Sequence, residues 1–189
     1  MINRINEFCG ENSLKNLKSI VKQNNTKKIL IFCGKKSFVK SGAKSKLINN
    51  LSNAKLFFFF KKYDYPNTNE LRVAINYLNK LKPELIIAVG GGGVMDLAKC
   101  TNVLHDVKSI NKNISNLNSL IKKKYCEIIC IPTTAGSGAE ATRHAVLYLN
   151  KAKYSIEHSD VHPDYFFLDP TLLVSLPKYY GASASIDAI

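Results

Sequence analysis

The run Gly90-Gly91-Gly92-Gly93, with Asp96 and Lys99 behind it, is the densest grouping of chemistry-capable residues in this chain. It ends the apolar stretch Leu85 to Val89 and opens a helical pattern from Met95 to Leu104. Glycine lacks a Cβ, so the backbone amides there can approach a ligand closely. A helix N-terminus behind such a loop favours negative charge. That chemistry suits a phosphate, above all the pyrophosphate of a dinucleotide. A glycine-rich turn between strand and helix that binds nothing is the alternative. Asp96 either caps the helix or complements its dipole, or it contacts the ligand, and Lys99 either reaches a phosphate or is solvated.

A second loop follows another apolar stretch. Pro132-Thr133-Thr134-Ala135-Gly136-Ser137-Gly138-Ala139-Glu140-Ala141-Thr142 places hydroxyls at Thr133, Thr134, Ser137 and Thr142 and lets the backbone approach at two glycines. These groups suit the ribose and amide of a nicotinamide nucleotide, and equally a Ser/Thr-rich turn that caps a helix. Neither loop is a G-x-G-x-x-G fingerprint, because Asp96 stands where the third glycine would be. A Walker A loop is excluded by the absence of Gly-Lys-Ser/Thr at the required spacing.

The elements that must hold these loops alternate. Strands are expected over Lys28 to Cys33, Lys55 to Phe60, Leu85 to Val89 and Glu127 to Ile131, with further strands at Ala145 to Leu149 and Tyr165 to Leu168. The four phenylalanines from Phe57 read as buried on both faces. Helical spacing marks a segment capped by Ser13 that carries Leu14, Leu17, Ile20 and Val21. Two more are Lys44 to Leu51 and the stretch from Asn67 or Thr68 up to Pro83. Residues 106 to 124 read as a long loop with a helical turn near Leu117. Lys151-Ala152-Lys153 reads as a hairpin-like turn and return, and a helix opens at Pro177-Lys178. The fold class is α/β, a mainly parallel, Rossmann-like sheet whose ligands bind beyond the carboxyl ends of its strands.

Composition excludes several classes. The chain has 189 residues and a formal net charge of +13. Arginine occurs only at Arg4, Arg72 and Arg143, and the lysines are scattered. No RNP-like, zinc-finger or basic heptad pattern accompanies them, so no nucleic acid partner is expected. No run reaches transmembrane length and no membrane partner is expected. The five cysteines lack a zinc spacing, and Cys33 and Cys130 sit in apolar runs. They read as free thiols of a cytoplasmic protein.

Taken together and in this order, the two loops resemble the iron-containing (group III) alcohol dehydrogenases, relatives of glycerol dehydrogenase and dehydroquinate synthase. Gly90 to Lys99 follows that family's first pattern, with Gly93 in place of a serine. Pro132 to Glu140 follows its second, with Ser137 and Ala139 as small substitutions. Asp169-Pro170, Leu176-Pro177 and Asp187-Ala188 follow its third. The resemblance implies a dehydroquinate synthase-like architecture: a dinucleotide-binding domain over residues 1–168, then the start of an all-helical metal-binding domain over 169–189. It implies hydride transfer between NAD(P) and a small-molecule alcohol or aldehyde at a divalent metal, Fe2+ or Zn2+. A homo-oligomer is expected for the complete enzyme.

By position, Gly91, Gly92 and Gly93 would hold the pyrophosphate, with Asp96 close by. Thr133, Thr134, Ser137, Thr142 and Lys153 would line the cofactor, and Asn67 would lie on its side. Gly34 falls where NAD-preferring members carry an aspartate, so NADP is expected over NAD, with Lys35 or Lys36 available to the 2′-phosphate. Asp187 matches the metal-binding aspartate; the histidines that complete the family's site would lie beyond Ile189. This chain alone is therefore expected to be inactive, with a non-catalytic nucleotide-binding module as the alternative reading. The segment from Glu140 to Lys178 is similar to the phosphonoacetaldehyde reductases of that family. That similarity implies reduction of phosphonoacetaldehyde to 2-hydroxyethylphosphonate, with Arg143, Lys153 and His158 as partners for the phosphonate.

Overall fold

A computed structural model of the chain describes residues 5–177, 179 and 182. The chain begins with strand β1 (Asn6–Cys9), a 3-10 turn (Ser13–Asn16) and helix α1 (Leu17–Gln23), and continues through β2 (Lys28–Gly34), α2 (Ser37–Lys40) and α3 (Ala43–Asn50). Next come β3 (Lys55–Lys61), α4 (Thr68–Leu81), β4 (Leu85–Gly90) and α5 (Gly92–Val103). After a 3-10 segment (Ile110–Asn116) and α6 (Leu117–Leu120) come β5 (Glu127–Pro132), a 3-10 turn (Ala139–Ala141), β6 (His144–Leu149), β7 (Ala152–Glu157) and β8 (Tyr165–Leu168).

Six strands form one sheet in the order β1-β8-β5-β4-β2-β3, and every pairing in it is parallel. β6 and β7 form a separate antiparallel hairpin, whose turn places Asn150 and Lys151 at positive φ. A parallel sheet must be covered on both faces, because its crossovers are helices. The pleat sorts the side chains accordingly. Leu30, Phe32, Ile86, Ala88, Ile128 and Cys130 pack with α4 and α5, while Ile29, Ile31, Leu85, Ile87, Val89 and Ile129 pack with α1 and α3.

Several expectations change. β1 is absent from the sequence reading because its Asn-Glu-Phe-Cys run carries no apolar pattern. Its place comes from parallel pairing to β8 and from Phe8 stacking on Phe167, with centroids 4.7 Å apart. β3 is an edge strand, so its phenylalanines are half-buried and Phe60 is 43% exposed, against the expected burial on both faces. Ser13 does not cap the first helix: Asn12, in a left-handed conformation, precedes it, and the first turn is 3-10. α5 begins at Gly92, three residues earlier than expected, because Gly91 is the extended residue that ends the turn. The long loop is tied down by buried Ile110, Leu117 and Ile121. Lys178 and Asp187 lie outside the described residues, so the expected last helix and metal ligand receive no structural account.

Candidate dinucleotide cleft

The sheet winds outward from β2 to β3, then jumps back across β2 to β4 and continues through β5 to β8. The direction of winding reverses at β2 and β4, and open α/β sheets bind ligands outside the carboxyl ends of strands at such a point. The glycine loop follows β4 there, and β2 ends there at Gly34.

The loop from β4 into α5 is compressed. A Cβ on Gly90 would lie 2.8 Å from Val94 Cγ2. The Val94 and Met95 N–H groups donate back to the Gly91 carbonyl at 3.0 and 3.3 Å. No side chain caps α5. The amides of Gly92 and Gly93 thus lack intrahelical partners. Asp96 sits in the second turn and does not cap the helix, which removes the capping alternative.

The second loop lies over the first. The Thr133 N–H donates to the Gly90 carbonyl at 3.0 Å, and the Thr133 side chain is buried. A Cβ on Gly91 would meet Thr134 Oγ1 at 3.1 Å, and one on Gly92 would meet Ser137 Cβ and Oγ at 3.0 Å. Gly136 (φ 111°) and Gly138 (φ 60°) take left-handed conformations that let the loop fold back. Lys99 is 1% exposed and fixes this loop from beneath. Its Nζ donates to the carbonyls of Ala139 at 2.7 Å and Thr142 at 2.8 Å. It is neither solvated nor in the cleft lining. Burial holds the pKa of His162 below the ordinary histidine value, and the Ala141 backbone offsets part of that fall.

These loops, the β3–α4 connection and the β6–β7 hairpin enclose a cleft of about 580 Å³. Among the expected site residues, Gly92, Gly93, Asp96, Thr134, Ser137, Thr142 and Lys153 line it. Gly91 lies behind Thr134, and Thr133 is buried under the loop. Gly34 stands at the sheet edge in register with Lys61, outside the lining. Asn67 has a positioning role: its Oδ1 accepts the Glu70 N–H at 2.9 Å and so caps α4.

Arg143 and His158 are not brought into the cleft lining. Arg143 pairs with Glu157 at 3.0 Å, and His158 Nδ1 accepts the Asp160 N–H at 3.1 Å. Residues that sequence reasoning missed take the space: Asp64, Tyr65, His144 and Tyr148 line the cleft. Tyr65 and Tyr148 stack with centroids 5.0 Å apart, and the Tyr148 N–H donates to the Pro66 carbonyl at 2.8 Å. Asp64 and Tyr65 were findable, since they directly follow β3 at the same carboxyl edge as Gly34. His144 carried no local signal.

The Asp96 carboxyl is pushed up from 3.8 to about 6, chiefly by burial. Lys99, the Val146 N–H, Lys153 and Lys61 offset part of that rise. The folded state therefore holds a proton that the unfolded state has released between about pH 4 and 6. Stability from this group is present below pH 4 and is lost as pH rises through 6. Asp96→Asn should therefore stabilise the protein at pH 7.5 by about 2–3 kcal/mol, an advantage that shrinks toward pH 4. Urea melts at the two pH values check this, and a gain independent of pH would reject it.

Among the described residues no group of three or more His, Cys, Asp or Glu side chains could hold a metal ion. The described residues therefore do not fit a metal site. None of their helices is long and apolar enough to cross a membrane. All five cysteines are free.

A protein-family model described as iron-containing alcohol dehydrogenase matches residues 6–170. Among curated proteins, an alcohol dehydrogenase of Thermococcus barophilus is 27% identical over 188 residues, covering 95% of this chain and 49% of that protein. Among solved structures, the sulfoacetaldehyde reductase from Bifidobacterium kashiwanohense in complex with NAD+ is 26% identical with a TM-score of 0.85. That match covers 97% of this chain and 49% of that one. The iron-containing alcohol dehydrogenase from Thermococcus thioreducens is 25% identical with a TM-score of 0.84, covering 99% and 50%. The chain thus spans about half the length of these relatives.

Proposed function

The chain belongs to the iron-containing alcohol dehydrogenase family, and from that membership we propose that residues 1–168 are the NAD(P)-binding half of an alcohol dehydrogenase or aldehyde reductase. Residues 169–189 would begin its helical metal-binding domain, with Asp187 as a ligand to Fe2+ or Zn2+. The observation that carries this reading is the convergence of both loops and the hairpin on the uncapped N-terminus of α5. The unpaired amides of Gly92 and Gly93 would hold the pyrophosphate, with Gly91 kept bare so that Thr134 can pack against it. Thr134, Ser137, Thr142 and Lys153 would surround the rest of the dinucleotide, and Thr133 and Asn67 would position the walls. When bound, the nicotinamide supplies or accepts the hydride. The free thiols suit a cytoplasmic location.

NADP is the proposed preference. Gly34 presents no carboxylate to repel a 2′-phosphate, and Lys35 and Lys36 are exposed beside it. A Cβ at Gly34 would come within 2.6 Å of Ser37 Oγ, an exposed hydroxyl held only by a long hydrogen bond of 3.4 Å that it donates to the Gly34 carbonyl. Gly34→Asp is therefore tolerable to the fold and should shift the NADPH-to-NADH ratio of Kd by roughly tenfold or more toward NADH. Fluorescence titration of this chain with both nucleotides measures it. An unchanged ratio would remove Gly34 from the specificity site.

The proposed substrate of the complete enzyme is a short aldehyde that carries an anionic group, with phosphonoacetaldehyde reduced to 2-hydroxyethylphosphonate as the specific case. A relative's name supports the class, since sulfoacetaldehyde is also an anionic aldehyde. Lys153 in the cleft lining is the cation best placed for such a group, because Arg143 is paired and His158 is engaged in its own turn. Comparing kcat/KM for phosphonoacetaldehyde and acetaldehyde in the complete enzyme tests it, and parity between the two would end the phosphonate assignment.

A further inference from the structure

Lys61 closes β3 on the strand beside β2, in register with Gly34. Phe59 and Phe57, two and four residues earlier, pack into the cluster under α4 and α5, so the Lys61 side chain leaves on that same face. It ends beside the first turn of α5, next to the lining residues Asp64 and Gly93 and not itself in the cleft lining. A Cβ on Gly93 would stand 3.4 Å from Lys61 Cε and 3.6 Å from Nζ.

The ammonium donates to two backbone carbonyls, those of Tyr63 and of Asp64, the latter at 2.9 Å. An ammonium has three N–H donors, so one is left. Among the described residues no carboxylate is in ion-pair contact with Lys61. Glu70, Asp64 and Asp96 act on it only from a greater distance, and burial still pulls its pKa below the ordinary lysine value. A half-buried cation thus sits against the positive end of a helix dipole, whose nearest amides are themselves unpaired. Two like poles held together under partial burial are unfavourable alone, and an anion between them reverses the sign. The same gap is kept open by Gly93, which bears no side chain to fill it.

We propose that Lys61 is the cationic ligand of the dinucleotide's diphosphate, closing on it from the β3 side while the Gly92 and Gly93 amides hold it from the α5 side. This rests on the reading of the cleft as a dinucleotide site. It names a residue that lies in neither glycine loop and that the sequence shows only as one of its scattered lysines.

The experiment is a calorimetric titration of the chain with NADPH, NADH and adenosine 2′-monophosphate, which carries the 2′-phosphate and neither phosphate of the diphosphate. Lys61→Met should weaken NADPH and NADH alike by roughly tenfold to a hundredfold and leave the 2′-monophosphate unchanged. Lys61→Arg should restore most of the loss, and Lys61→Gln gives a second neutral replacement. Circular dichroism melts verify that each variant is folded. Loss confined to NADPH and the 2′-monophosphate would make Lys61 a reader of the 2′-phosphate and overturn the proposal, as would unchanged affinity for all three. A wild-type chain that binds neither dinucleotide would overturn the parent reading instead.

Discussion

Gly92→Asp should abolish dinucleotide binding while leaving the fold at least as stable as the wild type. Gly92 is the first helical residue of α5, behind an N-cap that contributes no side-chain hydrogen bond. A carboxylate in the first turn complements the helix dipole by about 0.3–1 kcal/mol. Replacing a helical glycine contributes about 0.5–1 kcal/mol more. Against this stands a Cβ contact of 3.0 Å with Ser137, an exposed residue on a loop that can yield. For the ligand every effect has the opposite sign. The carboxylate fills the space between the two loops and sets a negative charge where the pyrophosphate would lie. Affinity for NADPH and NADH should fall by at least roughly a hundredfold, with an unchanged or higher melting temperature. Titration and thermal melts of the same sample measure both. Retained affinity would place the pyrophosphate elsewhere; joint loss of affinity and stability would point to a folding role.

Lys99→Met should act in the opposite way, chiefly on stability. The Lys99 ammonium is buried and satisfied only by neutral carbonyls, those of Ala139 and Thr142, with the Thr142 hydroxyl at 3.5 Å. Burial pulls its pKa below the ordinary lysine value. Methionine fills the volume and relieves the buried charge, yet it leaves two carbonyls without donors. Each such acceptor costs about 1–3 kcal/mol, so a net loss of about 3 kcal/mol is expected. For a chain of this size that is a fall in melting temperature of about 6–12 °C. Because those carbonyls belong to the second loop, nucleotide affinity should fall as well. A variant that melts like the wild type would show that the loop holds its shape without Lys99.

Much of this protein was legible before any coordinates. Gly90 to Gly93 and Pro132 to Thr142 carry their meaning in residue type, because bare amides, left-handed turns and hydroxyl-rich loops are local properties of the backbone. The strands β2, β4 and β5 were readable as unbroken apolar runs, which is how strands buried on both faces look. Capping preference placed the start of α4 at Asn67 or Thr68, and the structure makes Asn67 the cap. Where local pattern was weak, the reading failed. β1 has no pattern of its own and exists through β8. β3 has a strong pattern, yet its burial depends on whether a neighbour stands on its far side.

The sequence by itself determined the two loops, the α/β alternation that carries them and the family they belong to. All three depend on residues near one another along the chain, where glycine geometry and hydrophobic period act directly. Tertiary structure decided what the charged side chains do. Lys99, Lys61, Arg143 and Asp96 are each a charge on an element whose sequence says nothing about its partner. One is buried against two carbonyls, one is held beside an unpaired helix end, one is paired with Glu157 away from the cleft, and one is pushed up to about 6. A charge takes its role from the solvation and the partners that surround it. Those come from residues such as Ala139, Gly93 and Val146, which lie 32 to 50 positions away in the chain and adjacent in space.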